Sequence, residues 1–560
     1  MEGLRYRFVT LCLLTCLALS GCATRSNDPA IAAVATAHPL ATQAALRTLD
    51  EGGNAFDAAI AAAAVLGVVE PHGSGLGGGS FWLLRKTNGE VNFVDAREVA
   101  PQAATADFYL GSGGQPQPRA SLDGPLAAAI PGQPAALAHL ARHYAERPLS
   151  ANLADAIRFA TLGFRVDSAY LNMVAWRQEA LQADPVSRRV FLDEGDIPGS
   201  DFVVRQPELA RTLQALARDG HDGFYMGPVA KALVADVQAA GGRWTEADLA
   251  AYRISERRPL VIRHADATIF TAPPPSAGGI ALTQMFAQLE VAPVPAQDRI
   301  ARIHHLTEVM RRAYRDRHLL GDPDAVNIPY AQLLDRPRLH ADARAIDPLH
   351  ASPPPTLPAG DSGRGFHTTH LSIIDGDGNA VAATLTLNLP FGAAFTSPAT
   401  GVLLNNEMDD FAIAPGVPNA YGLPGARANA IAPGKRPLSS MTPTLLLRED
   451  ELVALGTPGG SRIISMVFLA LLDVLDRAPL AQIAAGDRFH HQYWPHQIQF
   501  EQGALSAEDR FELESLGHQV LELERRYGNL QIVRKNLRSG DAEAASDPRG
   551  VGLSVVRSTR

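Results

Sequence analysis

Thr-Thr-His-Leu-Ser-Ile-Ile-Asp-Gly-Asp-Gly-Asn-Ala, residues 368–380, decides how the rest of the chain is read. Strand-forming residues at 369–375 run into the turn Asp375-Gly-Asp-Gly-Asn379 and resume at 380–388, which predicts a hairpin folding back toward Thr368. A three-residue loop at 376–378 pairs Thr368 with Thr386, whereas a two-residue turn at Asp377-Gly378 pairs it with Leu387. Only the first register puts both hydroxyls on one face, and Asn388 would join that face because strand side chains alternate. Upstream, residues 351–367 are rich in Pro, Gly and small polar side chains, a linker composition that a cut would disturb little. Cleavage between His367 and Thr368 would give Thr368 a free α-amino group able to take the proton of its own hydroxyl, so that one residue supplies both nucleophile and base. Taken alone, the segment also reads as an ordinary loop leading into a strand that begins with Thr.

Working outward, residues 39–50 predict a helix stopped by Gly52-Gly53, and an alanine-dense helix follows over 55–65. The glycine turn at 73–79 leads into a hairpin whose strands include Ser80-Phe-Trp-Leu-Leu-Arg85 and Val91-Asn-Phe-Val-Asp-Ala-Arg97. Helical patterns dominate 124–320, with one helix starting at Thr245-Glu246 and another over 300–320. Glu308 to His318 mixes cations and acids, the pattern of a solvated helix face. Strands return at 399–405, 443–448 and 451–455, before a helix near 461–476. Strands from both halves are needed to build one sheet system, and no repeat of 20–50 residues is present.

The 560 residues are 46% hydrophobic and 19% charged, which marks a globular chain. A formal net charge of -9 excludes a nucleic-acid binder that depends on a basic face. Arg5 and Arg7 precede an apolar run and then Leu19-Ser20-Gly21-Cys22, an export signal that resembles a bacterial lipobox with Cys22 as the lipidated first residue; cleavage after Ala23 by an ordinary signal peptidase is the alternative. No other stretch is long and charge-free enough for a transmembrane helix. All 3 cysteines lie at or before this boundary, so the mature body has no thiol for disulfides, metal ligation or nucleophilic attack.

Several motifs fail on context. Gly73-Ser-Gly-Leu-Gly-Gly78 fits G-x-G-x-x-G but precedes a strand where a dinucleotide site needs a helix. The loop beginning Asp375-Gly-Asp-Gly-Asn379 would have Thr386 where a calcium loop needs a bidentate Glu. The adjacent pairs His304-His305 and His490-His491 diverge in any regular element, and no H-E-x-x-H occurs. Gly456-Thr-Pro-Gly-Gly-Ser-Arg462 lies between a strand and an apolar helical run; its N–H groups could face an anion, or form a plain turn.

These segments together resemble γ-glutamyltransferase (γ-glutamyl transpeptidase), an N-terminal-nucleophile hydrolase family, from about His38 to Gly552. The resemblance rests on an ordered series that includes Gly52-Gly-Asn-Ala-Phe-Asp-Ala-Ala59, Asp95-Ala-Arg-Glu-Val-Ala-Pro101, Pro273-Pro-Pro-Ser-Ala-Gly-Gly279, Thr368-Thr-His370, Leu404-Asn-Asn-Glu-Met-Asp-Asp-Phe411, Lys435-Arg-Pro-Leu-Ser-Ser-Met441, Pro458-Gly-Gly-Ser-Arg462 and Ala545-Ser-Asp-Pro-Arg549. It implies an α+β fold, a four-layer αββα sandwich (the Ntn-hydrolase fold) made from one autocleaved precursor. The expected parts are a lipoprotein-type signal peptide at 1–21, a large subunit at 22–367 and a small subunit at 368–560 led by the Thr nucleophile.

By motif position the resemblance makes Thr368 the nucleophile, Thr386 its hydrogen-bond partner, and the Gly459 and Gly460 amides the oxyanion donors. Arg97 would clamp the α-carboxylate of a γ-glutamyl head with Ser439 and Ser440; Asn388, Glu407 and Asp410 would hold its α-ammonium; and Tyr421 would tip a lid over the pocket. The implied activity is that of a glutathione hydrolase and γ-glutamyltransferase, moving the γ-glutamyl group from glutathione or related amides to water or to an amino-acid or peptide amine, with no cofactor or metal. The implied location is the periplasmic side, lipid-anchored at Cys22 to a bacterial membrane. Two alternatives stay open. One is a cephalosporin (glutaryl) acylase of the same fold, against which Asp410 argues; the other is a non-catalytic binding lipoprotein, disfavoured by intact Thr368, Thr386 and Gly459-Gly460.

Overall fold

The computed structural model describes residues 30–295, 297–355, 368–414 and 416–559. Two antiparallel sheets face one another. The first has seven strands in the order Leu553–Thr559, Ala30–Thr36, Thr369–Ile374, Ala380–Thr386, Gly79–Arg85, Val91–Ala96 and Ser255–Arg257. The second has six, in the order Ala542–Ser546, Gln531–Asn536, Glu451–Gly456, Thr444–Leu447, Ala267–Thr271 and Leu260–His264. Each sheet contains strands from before and after Thr368, as expected.

The hairpin Thr369–Ile374/Ala380–Thr386 is buried throughout, because layers cover both of its faces. Leu371, Ile373, Val381, Ala383 and Leu385 point into a core shared with the outer helix Ala55–Val69. Ile374, Ala380 and Ala382 point the other way, into the core between the sheets that also meets the helices Gly278–Leu289 and Ile463–Leu475. Helix, sheet, sheet, helix is the αββα sandwich. Strand alternation thus divides one hairpin between two cores.

The alanine-rich helix Ala55–Val69 runs one turn beyond the expected 55–65. Asn54 caps it, its side chain accepting from the N–H groups of Phe56 and Asp57, while Asp57 accepts from the N–H of Asn54. Small side chains let this helix lie close on the sheet. Packing, not periodicity, then sets its length.

Four local expectations need correction. Residues 399–405 form no strand: Leu403 and Leu404 make single bridges to Thr396 and Gly77, and Gly401 turns the chain at φ 69°. The segment expected to be helical contains the strands Ser255–Arg257, Leu260–His264 and Ala267–Thr271, which complete the two sheet edges. The second hairpin strand stops at Thr386, not 388. In the helix Arg299–Arg315, Glu308 and Arg312 are buried and ion-paired rather than solvated. Residues around Ser352 cover them, with the Ser352 N–H donating to Glu308 at 3.0 Å.

Candidate active site

The site is built up from the hairpin turn. Gly378, at φ 91°, lets the chain reverse through 376–378, and the Asp375 carboxylate accepts from the N–H of Asn379 (2.9 Å), the amide of Asn379 (2.8 Å) and the N–H of Ala55 (2.9 Å). The Lys535 ammonium donates to the carbonyls of Asp375 (2.9 Å) and Gly376 (2.8 Å) from the facing sheet. The ladder then runs Ala380↔Ile374 to Leu385↔Thr369, the three-residue-loop register, and its next step sets Thr368 opposite Thr386. Thr368 is 6% exposed.

Two residues beyond Thr368, His370 is fully buried; its Nδ1 lies 2.9 Å from Thr384 Oγ1 and its Nε2 lies 3.1 Å from Ser372 Oγ. Burial drives its pKa down to about 3, so the ring is neutral. A Cβ on Gly456 would sit 2.2 Å from that ring, so a glycine is required where the second sheet passes the His370 side chain.

Asn388 reaches the site by a different route from the one expected. Beyond the strand end it adopts φ 74°, a left-handed conformation that Asn tolerates, and its N–H donates to Thr386 Oγ1 at 2.8 Å. The turn, not strand alternation, brings it beside Thr386.

One pocket gathers Thr368, Thr386, Asn388, Arg97, Glu407, Asp410, Ser439, Ser440, Tyr421 and Gly460. Gly459 is absent from that wall and lies one residue behind it. His367 and Cys22 lie outside the described residues. Leu423, Met441, Ser461 and Ile463 also line the pocket and were not singled out from the sequence. Three of them adjoin Ser440 or Gly460 within two or three positions, so adjacency was the available signal; Leu423 follows Tyr421 in the same way.

Arg97 follows the strand Val91–Ala96 and is wholly buried. Its guanidinium donates to Glu407, to Asp410 at 2.5 Å, to Glu98 at 3.4 Å and to the Pro437 carbonyl at 3.1 Å. Burial alone would weaken its charge, but Glu407, Asp410 and Glu98 more than offset this and hold it protonated. Three acids share one cation. Burial accordingly pushes the Glu407 carboxyl well above the usual range and Glu98 up to about 7, against the opposing pull of Arg97. Glu98 was not anticipated, since nothing in its spacing distinguishes it from a surface acid.

Tyr421 closes the pocket. Its hydroxyl donates to the Asn388 carbonyl at 2.8 Å, and its own carbonyl accepts from the Gln492 amide at 3.2 Å. The Asn419 amide donates to Asp410 at 3.3 Å, and the Ala420 N–H donates to Asp409 at 2.9 Å, so the segment is tied to the acids it covers. Tyr421 packs against Gly460, where a Cβ would lie 2.2 Å from the ring. Gly459 and Gly460, at φ 147° and 58°, turn the loop between the strand Glu451–Gly456 and the helix Ile463–Leu475.

The arrangement combines the Thr368 hydroxyl with a second hydroxyl opposite it, a glycine loop, and a buried patch in which both signs of charge are present. Such a site suits acyl transfer from a zwitterionic head.

Comparison with known proteins agrees. Residues 41–556 match the family model described as Gamma-glutamyltranspeptidase. The chain is 40% identical over 493 residues to a glutathione hydrolase proenzyme of Pseudomonas sp. (strain A14), covering 86% of this chain and 85% of that one. It is 37% identical over 526 residues to the glutathione hydrolase proenzyme of Escherichia coli (strain K12), covering 92% and 90%. Among solved structures, a cephalosporin acylase from Bacillus halodurans superposes with a TM-score of 0.82 at 25% identity, over 94% of this chain and 96% of that one. A Helicobacter pylori gamma-glutamyltranspeptidase chain superposes with a TM-score of 0.55 at 33% identity, over 56% of this chain and 92% of that one.

Proposed function

The chain belongs to the γ-glutamyltranspeptidase family, and we propose that Thr368, freed by self-cleavage after His367, is the nucleophile of its glutathione hydrolase and γ-glutamyltransferase activity. The observation that carries this reading is the convergence of Thr368, Arg97, Glu407 and Asp410 on one pocket.

In self-cleavage, Thr368 Oγ1 attacks the preceding carbonyl, its proton passes to the departing nitrogen, and the ester formed by this N-to-O shift is hydrolysed by water. The new α-amine, with a usual pKa of about 7.7–8.0, can then act as base at neutral pH. It takes the Thr368 proton as Oγ1 attacks the γ-carbonyl of the donor. Thr386 hydrogen-bonds the nucleophile, and the N–H groups of Gly459 and Gly460 receive the developing oxyanion. The amine product leaves with a proton, and water or an acceptor amine releases the γ-glutamyl group from Thr368.

The head is recognised as a zwitterion. Its α-carboxylate exchanges for Glu407 and Asp410 on Arg97, assisted by Ser439 and Ser440, while its ammonium takes the two acids and Asn388. Each charged group keeps a partner throughout, which avoids an unpaired buried charge. Acceptors are amino acids or peptides. The two subunits stay associated, because each sheet needs strands from both. The protein is exported and held at the periplasmic side of a membrane through lipid on Cys22. No helix among the described residues is long and apolar enough to cross a membrane.

A second reading, the glutaryl acylase, is favoured by the 0.82 TM-score. Asp410, paired with Arg97 in the head pocket, opposes it, because a glutaryl head has no ammonium to receive an acid. Two measurements test the proposal. Purified protein should consist of two chains, the shorter beginning Thr-Thr-His-Leu, and should release chromophore faster from a γ-glutamyl anilide than from a glutaryl anilide. An uncut chain inert toward the γ-glutamyl anilide overturns it, and a faster glutaryl reaction selects the acylase.

A further inference from the structure

Away from the head pocket, the helix Arg299–Arg315 meets segments from both sides of Thr368 at a cluster of imidazoles. His304 Nδ1 lies 2.7 Å from His518 Nε2, and His304 Nε2 lies 2.8 Å from the Asp347 carbonyl. A carbonyl only accepts, so Nε2 of His304 carries its proton, and a neutral His304 accepts at Nδ1 from His518. The His491 and His496 rings stand edge to face at 5.3 Å, and the N–H of Tyr493 donates to His491 Nδ1 at 3.1 Å. His304, His491 and His518 are buried; His496 is half-buried, and its Nδ1 has no hydrogen-bond partner among the described residues.

Two other segments are fastened here. The Ser352 N–H and hydroxyl donate to Glu308, Arg311 donates to the Pro353 carbonyl, and the Ala351 N–H donates at 2.7 Å to the carbonyl of Leu516, two residues from His518. Gln492, next to His491, donates from its amide to the Tyr421 carbonyl at 3.2 Å, and its Oε1 lies 2.9 Å from His490 Nε2. The cluster thus touches both residues 345–353 and the segment over the head pocket.

There is little allowance for added charge. Arg311, over the Tyr493 ring at 5.3 Å, already places a cation beside the rings, and Arg312 is paired with Glu308. Burial opposes the charge of Glu308, but its bonds from Ser352 and Arg312 hold its carboxyl below the usual range. Arg299 and Arg315, at the two ends of the helix, are engaged by Asp509 and by Asp316 and Asp342. His305 turns to the Ala292 carbonyl at 2.8 Å, and the Asp347 carboxylate turns to the exposed His350. Burial first, with neighbouring cationic groups adding, drives His518 down to about 4, His491 well below its ordinary value and His496 below it; burial takes His490 to about 3.

We propose that this cluster is an acid-sensitive clasp: with its imidazoles neutral it holds residues 345–353 and the Tyr421 segment in place, and with them charged it releases both. Only one proton fits between His304 Nδ1 and His518 Nε2, so a second sets two N–H groups against each other and breaks the bond. Protons on His491 or His496 face Arg311. In the open form the rings take protons from water near their ordinary value of about 6.5, so the clasp is fully held above that pH and weakens as pH falls toward the folded values. The clasp stands apart from the γ-glutamyl reading, because no step in it uses Thr368.

Hydrogen exchange of the intact protein at pH 7 and pH 5, corrected for the intrinsic rate and read by mass spectrometry, tests the clasp. Protection of 345–353 and 417–425 should fall between these pH values by at least about tenfold more in wild type than in His518→Gln, whose amide can still donate to His304 but does not titrate. The helix Gly227–Ala239, which has no histidine, should keep its protection. If His518→Gln does not fold, His496→Gln supplies the same comparison. Constant protection of either segment in wild type, an equal fall in wild type and variant, or an equal loss in the 227–239 helix overturns the proposal.

Discussion

The hairpin that carries Thr368 and the pocket that holds Arg97 are assembled on opposite principles. The hairpin is local: 19 residues from 368 to 386 set its register through one turn, and Asp375 and Lys535 only pin it. The pocket is non-local, because Arg97 meets Glu407 and Asp410 across more than 300 positions and borrows a carbonyl from Pro437. One region holds neutral hydroxyls and an imidazole between apolar cores, and the other concentrates charge. On the proposed function, the difference teaches that reactivity depends on strand register, whereas head recognition depends on the packing of distant loops.

That contrast can be broken at either end. The largest effect is expected from Thr368→Ala, which removes the proposed nucleophile of both self-cleavage and turnover; a single band on a denaturing gel and at least about a 10⁴-fold loss of γ-glutamyl hydrolysis should follow. Arg97→Met should strand Glu407, Asp410 and Glu98 without their cation. A loss of about 3–5 kcal/mol of stability, read from denaturant midpoints, is expected together with weak donor binding. Restoration of stability by Arg97→Lys, without recovery of donor KM, would separate charge from the planar fork.

Subtler substitutions sharpen the comparison. Asp410→Asn should cut kcat/KM for the γ-glutamyl anilide by about 10–100-fold and change glutaryl turnover far less, because only the first head carries an ammonium. Thr386→Val should lower kcat by about tenfold, with Thr386→Ser recovering most of it, if the register across the hairpin matters through that hydroxyl.

The effect that is smallest near neutral pH, and grows as pH falls, concerns the neutral core beneath Thr368. His370 has a folded pKa near 3 against an ordinary value near 6.5, so below 6.5 the unfolded state binds the extra proton and wild type loses stability as pH falls. Relative to His370→Gln, wild type should lose up to about 1.4 kcal/mol per pH unit between 6.5 and 3, followed by urea denaturation at stepped pH. A constant difference would mean that the ring does not stay neutral in the fold.

The sequence by itself determined what lies within a few positions of a strong local signal. The Asp375–Asn379 turn limited the residue facing Thr368 to Thr386 or Leu387, Gly52-Gly53 separated the helix at 39–50 from the alanine-rich one, and the ordered motifs named residues that share one pocket. Only the tertiary structure decided the rest. The strands at 255–271 lie among helices and gain their form from sheet edges supplied elsewhere in the chain, while 399–405 has strand-like residues but no continuous partner. Glu98 and Glu308 are acids whose spacing suggests solvent, yet distant segments bury them. Asn388 enters the site through a left-handed turn that no alternation predicts. The physical reason is common to all of these: backbone pairing and turn geometry are short-range, but burial, and with it the charge state of a side chain, is set by whatever residues from far along the chain come to rest on top.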